Sequence, residues 1–149
     1  MPISYADNLK ISFVDMDKII ATSTAGKKAQ KSINNLIKKE EEKFNKTEAG
    51  LKKKEDEILK QKNIISKEEL DKKIKDFQKD LNDFRNERAK FNRIINQKNL
   101  EATNKMVNAI NKILTQYAAD NSLSLVIQKK NIIIGKSELD ITDDILKEF

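Results

Sequence analysis

The side chains able to do chemistry in this sequence are lysines and carboxylates, because the chain has no histidine and no cysteine. Without imidazole it lacks the usual base near neutral pH. Without thiols it has neither a sulfur nucleophile nor a cysteine metal site. Its three glycines form no phosphate-cradling loop. Carboxylate pairs such as Asp143-Asp144 exist, but near the start of a short helix they serve capping and solvation. The expectation is a protein that is not an enzyme, uses no metal or cofactor and is not driven by ATP.

What remains is binding. Lys52, Lys53, Lys60, Lys62, Lys72 and Lys73 crowd the middle of the chain, with Lys54 and Lys75 beside them. They are candidate contacts for an acidic partner drawn in by long-range attraction. Glu55, Asp56, Glu57, Glu68, Glu69 and Asp71 are interleaved with them and blunt that field, so most of these lysines read as a solvated face. The net charge of +6 is unevenly spread: residues 1–24 and 136–149 carry more acid than base, and the excess of lysine falls between them. An acidic polypeptide, an anionic lipid or nucleic acid all suit a basic middle. Nucleic acid suits it least, since Arg85, Arg88 and Arg93 are the only arginines and no aromatic stacking platform accompanies them. A purely structural coiled-coil adaptor is the other alternative to a binding role.

The elements that must position these residues are long helices. Charged residues make up 36% of the chain and aromatics 5%, too little bulky apolar material for a thick core, yet there is one proline. A run at residues 9–14, with Ile11 and Phe13 on one face, reads as a strand. Asp15 is placed to cap a short helix over 16–21, and Thr22-Ser23-Thr24 to cap a long one from about residue 25. That long helix repeats an apolar residue every seven positions: Ile37, Phe44, Leu51, Ile58, Ile65. Gly50 inside it costs about 1 kcal/mol relative to alanine and reads as a tolerated glycine on a solvated face, or as a hinge. Ser66-Lys67-Glu68-Glu69 is a capping box, with Ile65 and Leu70 at the staple positions, so a second long helix starts there.

The second helix carries a three-four seam through Leu70, Ile74, Phe77, Leu81, Phe84, Phe91 and Ile95, then shifts by a stutter to Met106, Ile110, Ile113 and Tyr117. At 1.5 Å per residue it reaches about 80 Å, so it is expected to project. Folding the chain about residue 64 sets Ile58 against Leu70, Leu51 against Phe77, Phe44 against Phe84 and Ile37 against Phe91, with Glu40 against Arg88. An antiparallel hairpin arm over residues 25–117, with its tip near 63–66, is expected. Residues 123–128 and 132–134 read as two strands about the turn Lys129-Lys130-Asn131, Gly135 ends the second, and Asp140 caps a last helix over 141–148.

Three short strands per chain leave open edges, and pooling them between copies closes the sheet. The fold class expected is therefore α+β and mostly helical, a coiled-coil arm projecting from a small body whose sheet, closed or nearly closed, is formed by oligomerisation. Residues 1–24 and 118–149 supply that body, with Ile11, Phe13, Leu125, Ile127, Ile132 and Ile134 as its oligomerisation residues. No apolar run reaches membrane-spanning length. Pro2-Ile3-Ser4-Tyr5-Ala6, with small residues before Asp7, has the pattern of the end of a secretory signal segment.

Lys10-Ile11-Ser12-Phe13-Val14-Asp15-Met16, followed by Ala25-Gly26-Lys27-Lys28-Ala29, resembles the opening of the Skp (OmpH-like) chaperones. The ending, with Leu123 to Ile127 and then Asp140-Ile141-Thr142-Asp143-Asp144-Ile145-Leu146, resembles their C-terminal motif, of which Asp-Ile-Thr is the most specific part. The middle matches by pattern rather than identity. The resemblance implies a periplasmic homotrimer whose β-barrel body carries three hairpins around a cavity. In that cavity the family holds unfolded outer-membrane β-barrel proteins without ATP and keeps them from aggregating. Lipopolysaccharide or an anionic membrane surface is a further candidate partner.

Overall fold

The computed structural model describes residues 9–149, so the stretch read as the end of a signal segment lies outside the described residues. Strand β1 (Ile11–Val14) leads into helix α1 (Met16–Thr22), and two long helices follow, α2 (Thr24–Gln61) and α3 (Lys67–Asp120). Strand β2 (Leu125–Gln128) and helix α4 (Thr142–Glu148) complete the chain, with short 3-10 turns at Lys129–Asn131 and Ser137–Leu139. The fold is α+β and mostly helical.

The local signals explain where helices begin and end. Asp15 Oδ1 accepts the Lys18 N–H at 2.9 Å and caps α1. Ser23 then serves two helices at once. Its N–H donates to the Ile19 carbonyl at 3.0 Å and closes α1, while its Oγ accepts the Gly26 N–H at 3.0 Å and opens α2. This single-residue elbow brings α2 so close to α1 that a Cβ at Gly26 would lie 1.6 Å from the Ile20 carbonyl oxygen. Gly26→Ala is expected to destabilise the protein by roughly 2–3 kcal/mol, because backbone cannot rotate away from overpacking as a side chain can. Its midpoint in urea, compared with wild type, is the measurement.

At the far end of α2, Ser66 Oγ accepts the Glu69 N–H at 3.2 Å and starts α3. The end of α3 is a paired-carbonyl stop: Leu123 N–H reaches the Ala118 carbonyl at 2.8 Å and Ser122 N–H the Ala119 carbonyl at 3.3 Å, with Ser122 at φ 52.

The chain divides into two compact units. One, the arm, is Ser32–Asn99; the other, the body, holds the described residues up to Lys31 together with Leu100–Phe149. The body therefore includes the first turns of α2 and α3 from Leu100 onward, a larger share than the boundaries at 24 and 118 assign it. The stutter in the α3 seam accounts for this. Ile110, Ile113 and Tyr117 serve the body core, whereas Phe77, Phe84 and Phe91 serve the arm.

The body core gathers both chain ends around α3: Ile19, Ile110 and Ile145 are fully buried, with Val14, Met16 and Ile141 around them. β1 and β2 pair in parallel, Ile11 with Leu125 and Phe13 with Ile127. The expected second strand at 132–134 is not formed, which corrects the β-hairpin reading. The turn at Lys129–Asn131, closed by the Ile132 N–H on the Lys129 carbonyl at 3.0 Å, carries the chain off the sheet. Ile132 stays half-buried, while Ile133 is 100% and Ile134 91% exposed. Gly135 packs against Phe13, whose ring also lies under the Lys129 ammonium at 6.0 Å.

In the arm, Phe44, Leu51 and Phe84 are buried together, with Phe77, Leu81 and Phe91 packed on them. The Phe44 ring meets Phe84 at 5.9 Å and Phe91 at 5.7 Å, both edge to face. Phe44 thus seats between two layers of α3 rather than opposite one, because bulky side chains fill gaps better than they meet head-on. The layer read as Glu40 against Arg88 is also different. Glu40 pairs with Lys43 on its own helix at 2.7 Å, and the Arg88 guanidinium lies over the rings of Phe44 and Phe84 at 5.7 and 5.8 Å.

Candidate functional site

Three surfaces carry the residues singled out above. The first is the C-terminal latch of the body. Thr142, 2% exposed, accepts the Asp15 N–H on its Oγ1 at 2.8 Å. Its own hydroxyl and N–H donate to Asp140 Oδ1, and Lys129 Nζ donates to Asp140 Oδ2 at 3.0 Å. Lys18 Nζ reaches Asp143 at 2.8 Å beside it. The Asp-Ile-Thr element is thus a clamp: Asp140 orients Thr142, Thr142 ties α4 to the cap of α1, and Ile141 enters the core. α4 starts at Thr142, one residue after the expected start, and Asp140 accepts that first N–H from just outside the helix.

Burial alone would raise the Asp140 carboxyl. The hydrogen bonds from Thr142 and Lys129 outweigh that and hold it below its ordinary value of 3.8. A carboxyl lowered by folding adds stability that is present above its ordinary value and lost as pH falls through the lowered one. Asp140→Asn is therefore expected to cost about 1–3 kcal/mol at pH 7. The gap to wild type should shrink as pH drops below about 4. Urea denaturation from pH 7 to pH 3 on both proteins measures it.

The second surface is apolar and belongs to the body. Ile11 and Leu125 are paired across the sheet and both are exposed. Of the other expected oligomerisation residues, Phe13 is buried, Ile127 and Ile132 are half-buried, and Ile134 is exposed. Ile133 is exposed as well, next to Ile134 in the chain.

The third surface is the arm. Ile37, Ile58, Leu70 and Phe77 are half-buried along its seam, beside the buried Phe44, Leu51 and Phe84 and the half-buried Phe91. Lys52, Lys53, Lys60, Lys62 and Lys72 are exposed, whereas Lys73 is half-buried and lines a groove with Ile58 and Phe77. Lys54 donates to Asp80 across the two helices. That hydrogen bond and the paired charge hold the Asp80 carboxyl below its usual range and the Lys54 ammonium above its own. Some apolar residues of the arm stay outside the seam. Ile64 is 81% exposed at the tip and Leu59 is exposed near it. Their signal was present as apolar residues adjacent to seam positions Ile58 and Ile65, with no seam place of their own.

A long antiparallel helix pair and a small body tied together from both chain ends define a helical-hairpin protein. The chain belongs to the family described as Outer membrane protein (OmpH-like), whose model matches residues 10–149. Among solved structures, a candidate outer membrane chaperone (OmpH-like) from Caulobacter crescentus CB15 superposes with a TM-score of 0.85. The match covers 94% of this chain and 83% of that one. At 13% identity the likeness is one of fold. No curated protein matches in sequence. No helix among the described residues is long and apolar enough to cross a membrane.

Proposed function

We propose that this protein is an ATP-independent holding chaperone of the periplasm. In this reading it binds unfolded outer-membrane β-barrel proteins between hairpin arms and keeps them from aggregating, without catalysis. Membership of the OmpH-like family and the fold shared with a candidate outer membrane chaperone support the reading. The observation that carries it is the arm itself: a thin two-helix structure that leaves Leu59, Ile64 and several lysines exposed rather than closing over a buried site. Such a surface offers many weak apolar and charged contacts to an unfolded chain, which exposes alternating apolar side chains and unpaired strand edges.

The working unit is a homotrimer assembled through the body. Exposed Ile11, Leu125, Ile133 and Ile134 support this, because apolar residues on so small a body gain by mutual burial. Light scattering coupled to size exclusion tests it, and a monomer at micromolar concentration would count against it. For the function, unfolded porin is diluted from urea with and without the protein, and scattering is followed. Suppression of aggregation is expected, and weakening as sodium chloride rises toward 1 M, where screening shortens the reach of charges to about 3 Å. No suppression at threefold molar excess would remove the reading. Lipopolysaccharide or an anionic membrane surface is a second partner for the exposed lysines.

A further inference from the structure

Two adjoining grooves on the arm carry more acid than base, opposite to the chain as a whole. One, of about 400 Å³, is floored by Leu51 and Phe84, and its α3 wall carries Asp80, Asp83 and Glu87. The next, of about 240 Å³, lies over Ile58 and Phe77 and is lined by Glu57, Asp76 and Asp80 against Lys54 and Lys73. Both share the Lys54–Asp80 ion pair, which crosses from α2 to α3 between them. With Lys54 matched to Asp80, the first groove keeps Asp83, held by Lys79 at a loose 3.6 Å, and Glu87. Acid therefore prevails at this apolar channel on a protein of net charge +6. Gly50 lines the first groove, and a Cβ there would meet nothing within 4 Å. A larger side chain would project from a wall of the groove.

We propose that this channel seats a cationic segment of an unfolded polypeptide, one apolar side chain entering over Leu51 and Phe84 beside Gly50 and flanking lysines or arginines meeting Asp83 and Glu87. Size fits, since a groove of this volume lies in the range of specific ligand sites, roughly 300–1,000 Å³. Charge decides the class of segment: the carboxylate rim attracts basic residues and repels acidic ones at short range. The proposal rests on the chaperone reading for its biological occupant.

Fluorescence anisotropy on the full chain tests it, with a labelled extended peptide alternating leucine and lysine and a second in which glutamate replaces lysine. The lysine peptide is expected to bind at least tenfold more tightly, although overall charge favours the other. Gly50→Leu adds bulk at the groove lining while improving helix propensity, and should weaken the lysine peptide at least fivefold. The double variant Asp83→Asn, Glu87→Gln should abolish the preference while circular dichroism stays unchanged. Equal binding of both peptides, or undiminished binding by Gly50→Leu, would overturn the groove assignment. Porin aggregation is followed in parallel. Suppression kept while the peptide preference is absent removes the groove alone, and failure of suppression in the unaltered protein removes the chaperone reading.

Discussion

Phe44→Ala is expected to loosen the arm by about 3–5 kcal/mol while the body core stays folded. The Phe44 ring of α2 meets the rings of Phe84 and Phe91 in α3 and lies under the Arg88 guanidinium as well. Truncating it removes the edge-to-face contacts and leaves Phe84 and Phe91 without their common partner. A thin hairpin has no second layer to collapse into the gap. The body core lies in the other compact unit and contains none of these residues. Amide exchange should therefore speed up around residues 40–48 and 80–95 but not around Ile19 or Ile145. Phe44→Leu, which keeps most of the volume, should cost less than about 1.5 kcal/mol. Porin aggregation should be suppressed less well by Phe44→Ala than by Phe44→Leu if the ordered arm is what holds the client.

Ile110→Ala should act on the other unit, lowering its stability by about 3–4 kcal/mol. Ile110 is fully buried where β1, α1 and α4 converge on α3, next to Ile19 and Ile145. β1 and α1 come from the start of the chain and α4 from its end, so the cavity would weaken the core in which they meet. Against a typical total of about 5–15 kcal/mol this is a large fraction. Urea unfolding followed by circular dichroism measures it, with Ile110→Val, expected to cost about 0.5–1.5 kcal/mol, as the graded control. Since Ile11, Leu125 and Ile134 belong to the same unit, Ile110→Ala should also shift any trimer toward smaller species in size exclusion with light scattering.

The two long helices and their turn were legible because their signals are local. Asp15, Ser23 and Ser66 satisfy orphan N–H groups within three residues of themselves, and the seven-residue repeat is a property of one helix face. The sequence also placed the large seam residues in the right neighbourhood, since an antiparallel hairpin with a short turn has few registers. It missed the interdigitation of Phe44 between Phe84 and Phe91, because spacing counts layers without saying whether side chains meet or alternate. It paired Arg88 with Glu40, but aromatic faces lay nearer than the carboxylate, and Lys43 reached Glu40 first.

Ile132, Ile133 and Ile134 show where propensity ends. Three β-branched residues read as a strand, yet the turn at Lys129–Asn131 carries them off the sheet, and β2 takes its partner in β1 from the other end of the chain. Whether a segment pairs is decided by what the rest of the fold brings alongside it. The same holds for Gly26 and Gly50, identical in sequence terms but opposite in surroundings: one faces a carbonyl at clash distance and the other faces open space. By itself the sequence determined helix lengths, caps, the hairpin turn and the lack of histidine and cysteine chemistry, all of which depend on residues a few positions apart. Only the tertiary structure decided that Asp140 and Thr142 clamp the far end of the chain to Asp15, and that carboxylates gather over Leu51 and Phe84. Those arrangements join residues distant in sequence, and nothing in the order of amino acids states their distance until packing and backbone hydrogen bonding have set it.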